Sequence, residues 1–240
     1  MRGSLQSIGV AFLWCVLLSL IPVRFALAQV QIDVLRGGGG AGGAAPTSFA
    51  ELAREVAQRT SIEVAQRPAV WEGLDEVSLA EPWLWVDDLR SISGPGGSLR
   101  PDIVFWLKRG GLLIIEGVAS PEELARLTTL PFQHDPVRPE WQPIPPDHEL
   151  MRSFYLLDAL PTCQNIVWRG FNFDARMAIL AIPYRFLSTV QDVRVAIPGC
   201  PNVPERERST RLFVNLLMVA LATDYKKDQI HLPEILKRLR

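Results

Sequence analysis

Asp102-Ile-Val-Phe-Trp-Leu-Lys-Arg-Gly-Gly-Leu-Leu-Ile-Ile-Glu-Gly117 holds an entire α/β step. Asp102 to Arg109 reads as a helix, and Gly110-Gly111 is its stop signal. Leu112 to Ile115 follows as four apolar residues without alternation, the pattern of a strand buried on both faces. Such strands belong to parallel sheets covered by helices, so this stretch places the chain in the α/β class.

The pattern extends in both directions. Downstream, Ser120-Pro121-Glu122-Glu123 opens a helix with proline at its first position and acids in its first turn, running to about Thr129. Upstream, Pro82 to Val86 is an apolar, aromatic strand in which Trp83 and Trp85 alternate into the core. Val30 to Leu35 is a first strand, and Gly37 to Ala45 a glycine-dominated loop. Ser48 with Glu51 makes a capping box for a helix from Phe49 to Thr60, with Phe49, Leu52, Ala53, Val56 and Ala57 on one face. Ile62 to Ala65 reads as a second strand. Alternation of strand and helix predicts a mostly parallel sheet with right-handed crossovers.

Beyond Thr129, Pro131 to Pro146 is a proline-rich irregular excursion, and Leu150 to Leu157 fits either helix or extended chain. Ile166 to Trp168 and Met177 to Ile182 are further strands, separated by a turn at Asn172 to Asp174. Glu205 to Thr223 is a long helix with Leu212, Leu216, Val219 and Ala220 on its inner stripe, and Leu232 to Arg240 a short amphipathic helix. The expected organisation is one α/β domain over residues 29–225 with a helical extension over 226–240.

Composition limits the function classes. The 240 residues carry a formal net charge of −1, with 48% hydrophobic and 21% charged residues, which excludes intrinsic disorder and a basic, phosphate-neutralising nucleic-acid binder. Residues 1–28 read as a secretory signal: Arg2 is followed by the apolar run Ile8 to Val23, Pro22 breaks that run, and Ala26-Leu27-Ala28 offers a peptidase site. Cleavage after Ala28 gives a periplasmic or secreted protein; without cleavage the run would hold the chain at a membrane. Cleavage also removes Cys15 and leaves Cys163 and Cys200, a candidate disulfide in an oxidising compartment.

No motif supplies a reaction. Gly37-x-Gly39-x-x-Gly42 has dinucleotide spacing, with Glu63 near the position of a ribose acid. Yet six glycines between 37 and 43 satisfy almost any glycine pattern, and the helix starts too late to meet a pyrophosphate. No cofactor is expected. Neither Asp87-Asp88 nor Glu116-Gly117 places Ser or Cys at a strand end, so no nucleophile elbow exists there. Asp147-His148-Glu149 lacks metal-ligand spacing and reads as a capped segment start, with Asp147 the cap. Asp87 and Asp88 form the best carboxylate pair, because acids at the carboxyl ends of parallel strands face the usual ligand crevice. Trp71 and Trp141, in proline-containing loops, are candidate exposed anchors for a partner.

One longer stretch is more specific. Ile144-Pro-Pro-Asp-His148-Glu-Leu-Met-Arg-Ser153-Phe-Tyr-Leu-Leu-Asp158-Ala-Leu-Pro161 resembles the signature of the domain of unknown function 4159 family. Lys108 to Ile115, Arg211-Leu-Phe-Val-Asn215 to Leu221, and Asp224 to His231 resemble its helix–Gly-Gly–strand step, its Asn-bearing final helix and its tail. The resemblance implies a three-layer, flavodoxin-like, class I glutamine-amidotransferase-like fold. It also implies a bacterial envelope setting, often beside AAA ATPase and von Willebrand-type genes, with no established activity. Asp147, His148 and Asp158 match its polar positions; Asp87-Asp88 and Glu116-Gly117 stand where many members carry Gly-His and a paired acid.

Together these readings predict an exported, non-catalytic domain that binds a protein or small ligand in the envelope. Its expected crevice is lined by Gly38, Gly39, Gly40, Asp87, Asp88, Glu116, Asp147 and His148. Two other readings stand beside it: a metal-assisted hydrolase using Asp87, Asp88, Glu116 and His148, and a subunit of a membrane complex working with an AAA ATPase.

Overall fold

The computed structural model describes residues 30–35, 46–71, 82–117, 120–129, 131–134, 140–161, 167–173, 176–191 and 207–222. Gly38 to Gly40, Cys163, Cys200, the leader 1–28 and the tail 226–240 lie outside the described residues.

The strands are β1 (Asp33–Leu35), β2 (Ala69–Trp71), β3 (Trp83–Val86), β4 (Leu112–Glu116), β5 (Trp141–Pro143), β6 (Arg169–Phe173) and β7 (Arg176–Ile182). The helices are α1 (Pro46–Thr60), α2 (Pro101–Lys108), α3 (Pro121–Thr129), α4 (Phe186–Gln191) and α5 (207–222). They build an α/β fold on a seven-stranded sheet of order β2-β1-β3-β4-β7-β6-β5. The pairs from β2 through β7 are parallel; β7–β6 and β6–β5 are antiparallel.

Strand parity divides the core. Trp83 and Trp85 of β3 and Leu112 and Ile114 of β4 enter one cluster with α1, α4 and α5. Leu84 and Val86, with Leu113 and Ile115, enter the other with α2 and α3. Both faces of β3 and β4 are therefore covered, which is why neither sequence alternates. Trp85 stacks on Phe186 of α4 with 6.2 Å between ring centroids, tying the first face together.

The step from α2 to β4 is tight. Gly110 donates to the Leu107 carbonyl at 2.9 Å and Gly111 to the Trp106 carbonyl at 3.1 Å. The Arg176 guanidinium reaches across from β7 and donates to the Leu107 and Gly111 carbonyls, tying the step to the sheet.

Several elements differ from the sequence reading. Ile62 to Ala65 is not a strand: only Val64 pairs, as an isolated bridge to Val30, after Ser61 turns α1 off at φ 60°. The strand beside β1 is instead Ala69–Trp71, immediately after Pro68. β5 lies inside the proline-rich stretch, where Pro143 is tolerated because the strand is an edge. β6 begins at Arg169, and Asn172 and Phe173 pair with β7 instead of turning. β6 and β7 are joined without a helix, so they form an antiparallel hairpin inside an otherwise parallel sheet. α1 starts at Pro46, so Ser48 lies inside the first turn and is not its cap.

Candidate functional site

The strand order reverses between β1 and β3: the chain leaves β1 for β2 on one side and β3 for β4 on the other. In open α/β sheets ligands bind outside the carboxyl ends of the strands at such a switch point. Here that point lies at the carboxyl ends of β1 and β3, where Leu35 closes β1 and Asp87-Asp88 follow Val86.

The structure separates the predicted acids. Asp87 is half-buried. It follows Val86, which pairs with Ile115, so it lies level with Glu116 on the next strand. Asp88 turns back on its own loop: Oδ1 accepts from the Arg90 N–H at 2.9 Å and caps a 3-10 turn over Leu89–Ser91. Partial burial pushes the Asp88 carboxyl up, but the Arg90 N–H, the bonds from its guanidinium and its charge together outweigh this and hold it below the ordinary value. Asp88 is therefore a cap.

Glu116 is the larger correction. As the last residue of β4 it shares the parity of Leu112 and Ile114, so its side chain enters the core under α4 and is only 5% exposed. Oε1 accepts from the Leu187 N–H at 2.5 Å, serving a backbone donor in the first turn of α4. Burial drives its pKa up to about 8. The Leu187 N–H, the Trp85 indole and Arg185 oppose this rise, while the charge of Asp87 adds to it. The Trp85 indole N–H faces the carboxyl without reaching hydrogen-bond geometry. Tyr184, buried near Glu116, has its phenol pushed up by burial first and by the Glu116 charge second. Burial thus favours the neutral form of Glu116, which serves as an internal anchor for α4.

This arrangement fixes a pH dependence. The folded state holds the Glu116 proton to about pH 8, against an ordinary value of 4.5, so it binds more protons than the unfolded chain between those limits. The contribution is fully present below about 4.5 and is lost as pH rises through about 8. Glu116→Gln keeps an acceptor for Leu187 and cannot ionise. Urea unfolding should show wild type losing stability relative to the variant from pH 5 to pH 9, on the order of a few kcal/mol. Parallel pH curves would contradict the assignment.

Asp147 and His148 lie between β5 and the 3-10 turn Glu149–Met151. Asp147 is exposed and is not the cap. His148 is: its Nδ1 accepts from the Leu150 N–H at 3.1 Å, opening the 3-10 turn Glu149–Met151. Burial pushes the imidazole pKa down, more than the charges of Glu149 and Asp147 raise it. Among the described residues no three His, Cys, Asp or Glu side chains are grouped so that they could hold a metal ion. Trp141 is likewise committed, its indole donating to the Leu124 carbonyl at 2.9 Å and Thr128 Oγ1 at 3.0 Å. Trp71 is half-buried, its indole nitrogen enclosed beside the buried Asp33. Neither tryptophan is a free anchor.

A second constellation, assembled by α5, was visible only as sequence resemblance. Asn215, fully buried, donates to the Leu150 carbonyl at 2.9 Å and the Tyr155 carbonyl at 2.8 Å. Its Oδ1 accepts from the Phe154 N–H at 3.2 Å and the Tyr155 N–H at 2.7 Å. The Ser153 hydroxyl bonds the Asn215 carbonyl at 2.9 Å. Both donors and both lone pairs of the amide are used. The clasp fixes residues 150–155 against α5.

A search of the curated proteins finds no match. The family model for the domain of unknown function DUF4159 matches residues 26–221. That span takes in the sheet, the clasped segment and all but the last residue of α5, and the chain belongs to the DUF4159 family.

Proposed function

We propose that the chain is an exported envelope domain that binds a small ligand or a partner segment at the carboxyl ends of β1 and β3 and does not turn it over. The observation that carries this reading is the reversal of strand order between β1 and β3, with half-buried Asp87 at that point. Without β6 and β5, the parallel strands run 2-1-3-4-5 in chain order, which supports a three-layer, flavodoxin-like arrangement akin to class I glutamine amidotransferases. The strand ends in view supply Asp87, Asp88, Gly117 and Pro183 and no Ser or Cys, which supports binding without nucleophilic catalysis. The apolar run Ile8 to Val23 and the Ala26-Leu27-Ala28 site support export.

The experiment is a thermal-shift screen of the purified protein against small-molecule fractions from the envelope. A stabilising fraction should raise the melting temperature of wild type and lose most of that effect on Asp87→Asn, each shift being read against the same protein's own unliganded melting. A fraction that stabilises both proteins equally, or a product formed in an Asp87-dependent way, overturns the reading.

A further inference from the structure

Three strands end together beside the crevice. Val86 pairs with Ile115 and Glu116 with Ile182, so Asp87, Glu116 and Ile182 come level at neighbouring strand ends about 4.8 Å apart. Glu116 therefore stands between Asp87 of the crevice and the link Pro183-Tyr184-Arg185 that leads into α4.

α4 depends on what lies beneath it. Its six residues are too few for a helix to persist on its own hydrogen bonds. Phe186, Leu187 and Val190 pack in the core, Phe186 over Trp85 and edge-on to Trp168 at 5.4 Å between centroids. A polar tie at the first turn joins the Leu187 N–H to Glu116 Oε1.

The surroundings of that carboxyl suit a neutral group. Trp85 faces it from β3, Asp87 from the crevice side, and Tyr184 and Arg185 from the link into α4. Arg208 of α5 acts on Tyr184. Arg185 is exposed, whereas Trp85 and Tyr184 are at most 3% exposed. A carboxylate formed at Glu116 would be enclosed, with the Arg185 cation outside in solvent. It gains by moving out toward Arg185 and water, and that movement gives up the Leu187 N–H.

Asp87 decides how readily this happens, because its negative charge opposes a second one on the next strand. A group that neutralises Asp87 removes the opposition. The effect is reciprocal: a cation at Asp87 favours loss of the Glu116 proton by as much as loss of that proton favours the cation.

We propose that Asp87 and Glu116 work as one coupled pair: an ammonium or guanidinium group of a ligand seated on Asp87 displaces the Glu116 proton to solvent, and Glu116 then releases α4. The coupling rests on the reading of the crevice as a ligand site and adds to it the charge of the ligand and the element that responds. Binding of such a ligand tightens as pH rises.

The coupling is measurable without a ligand, so its failure is distinct from a failure of the crevice to bind. The full chain, isotope-labelled at glutamate carboxyl carbons and backbone amides, is titrated by NMR from about pH 6 to about pH 10. The Leu187 amide should titrate together with the Glu116 carboxyl. Asp87→Asn, and equally Asp87→Ser, should lower that shared midpoint by about one pH unit, while Asp87→Glu, which keeps the charge, should leave it near wild type. Above the midpoint, protection from hydrogen exchange should fall several-fold more at Leu187 and Val190 than at Leu113 and Ile115 of β4. Glu116→Gln should abolish the Leu187 titration. An unchanged midpoint in both neutral variants, a Leu187 titration that persists in Glu116→Gln, or loss of protection shared equally by α4 and β4 overturns the proposal.

Discussion

Asn215→Ala should cost about 4 kcal/mol, because it removes four side-chain hydrogen bonds from one buried point and leaves two carbonyls and two N–H groups to find new partners. Each bond is modest when exchanged for water, but an orphaned buried donor or acceptor loses its solvation as well. The effect should be local before it is global. Hydrogen exchange should accelerate first at Phe154 and Tyr155, whose amides Oδ1 now holds, while the β3–β4 ladder keeps its protection. Asn215→Asp retains the acceptor and loses both donors, and it places a charge where nothing is exposed, so it should not rescue. Wild-type melting of Asn215→Ala would show that the clasp contributes little and that residues 150–155 are held by packing alone.

Gly111→Ala is the second large effect. A Cβ at Gly111 would stand 2.2 Å from Cε2 of Trp106, a separation no real pair of carbon atoms tolerates. The obstacle is a ring in the α2–α3 core, and Gly111 is also held by its N–H to the Trp106 carbonyl and its own carbonyl to Arg176. Neither side can retreat freely. The cost should reach or exceed the upper end of the roughly 1–3 kcal/mol usual for overpacking. Trp106→Leu removes the obstructing ring, so the double variant should be less destabilised than the two single changes summed. Additive losses in urea unfolding would mean that something other than this contact excludes a side chain at Gly111.

These two sites show what was legible in the sequence. Leu112 to Ile115, Trp83 with Trp85, and the Pro121–Thr129 helix stand where pattern placed them, and the long final helix covers 207–222. β2 and β5 were not legible, since three residues carry no periodicity, β2 follows Pro68 and β5 ends on Pro143. The direction of β6 was hidden for another reason: alternation reports burial and says nothing of parallel or antiparallel pairing. The short link between β6 and β7, with no room for a crossover helix, was the available signal.

For the site, residue type was visible and side-chain direction was not. Glu116 shares the parity of Leu112 and Ile114, and counting by twos from Leu112 would have sent it inward. His148 in place of Asp147 caps the turn because the segment begins one residue later than its acidic neighbour suggests. Asn215 stood out only through resemblance, because nothing local in Arg211 to Leu221 reveals a partner about 60 residues earlier.

The central claim is that this domain binds at the β1–β3 switch point through Asp87. Backbone amide NMR of the full chain, titrated with the stabilising envelope fraction, tests it most directly. The account predicts shift changes concentrated at Leu35 and at Val86 to Leu89, largely abolished in Asp87→Asn. Changes confined to residues 144–158, or unaffected by Asp87→Asn, would contradict it.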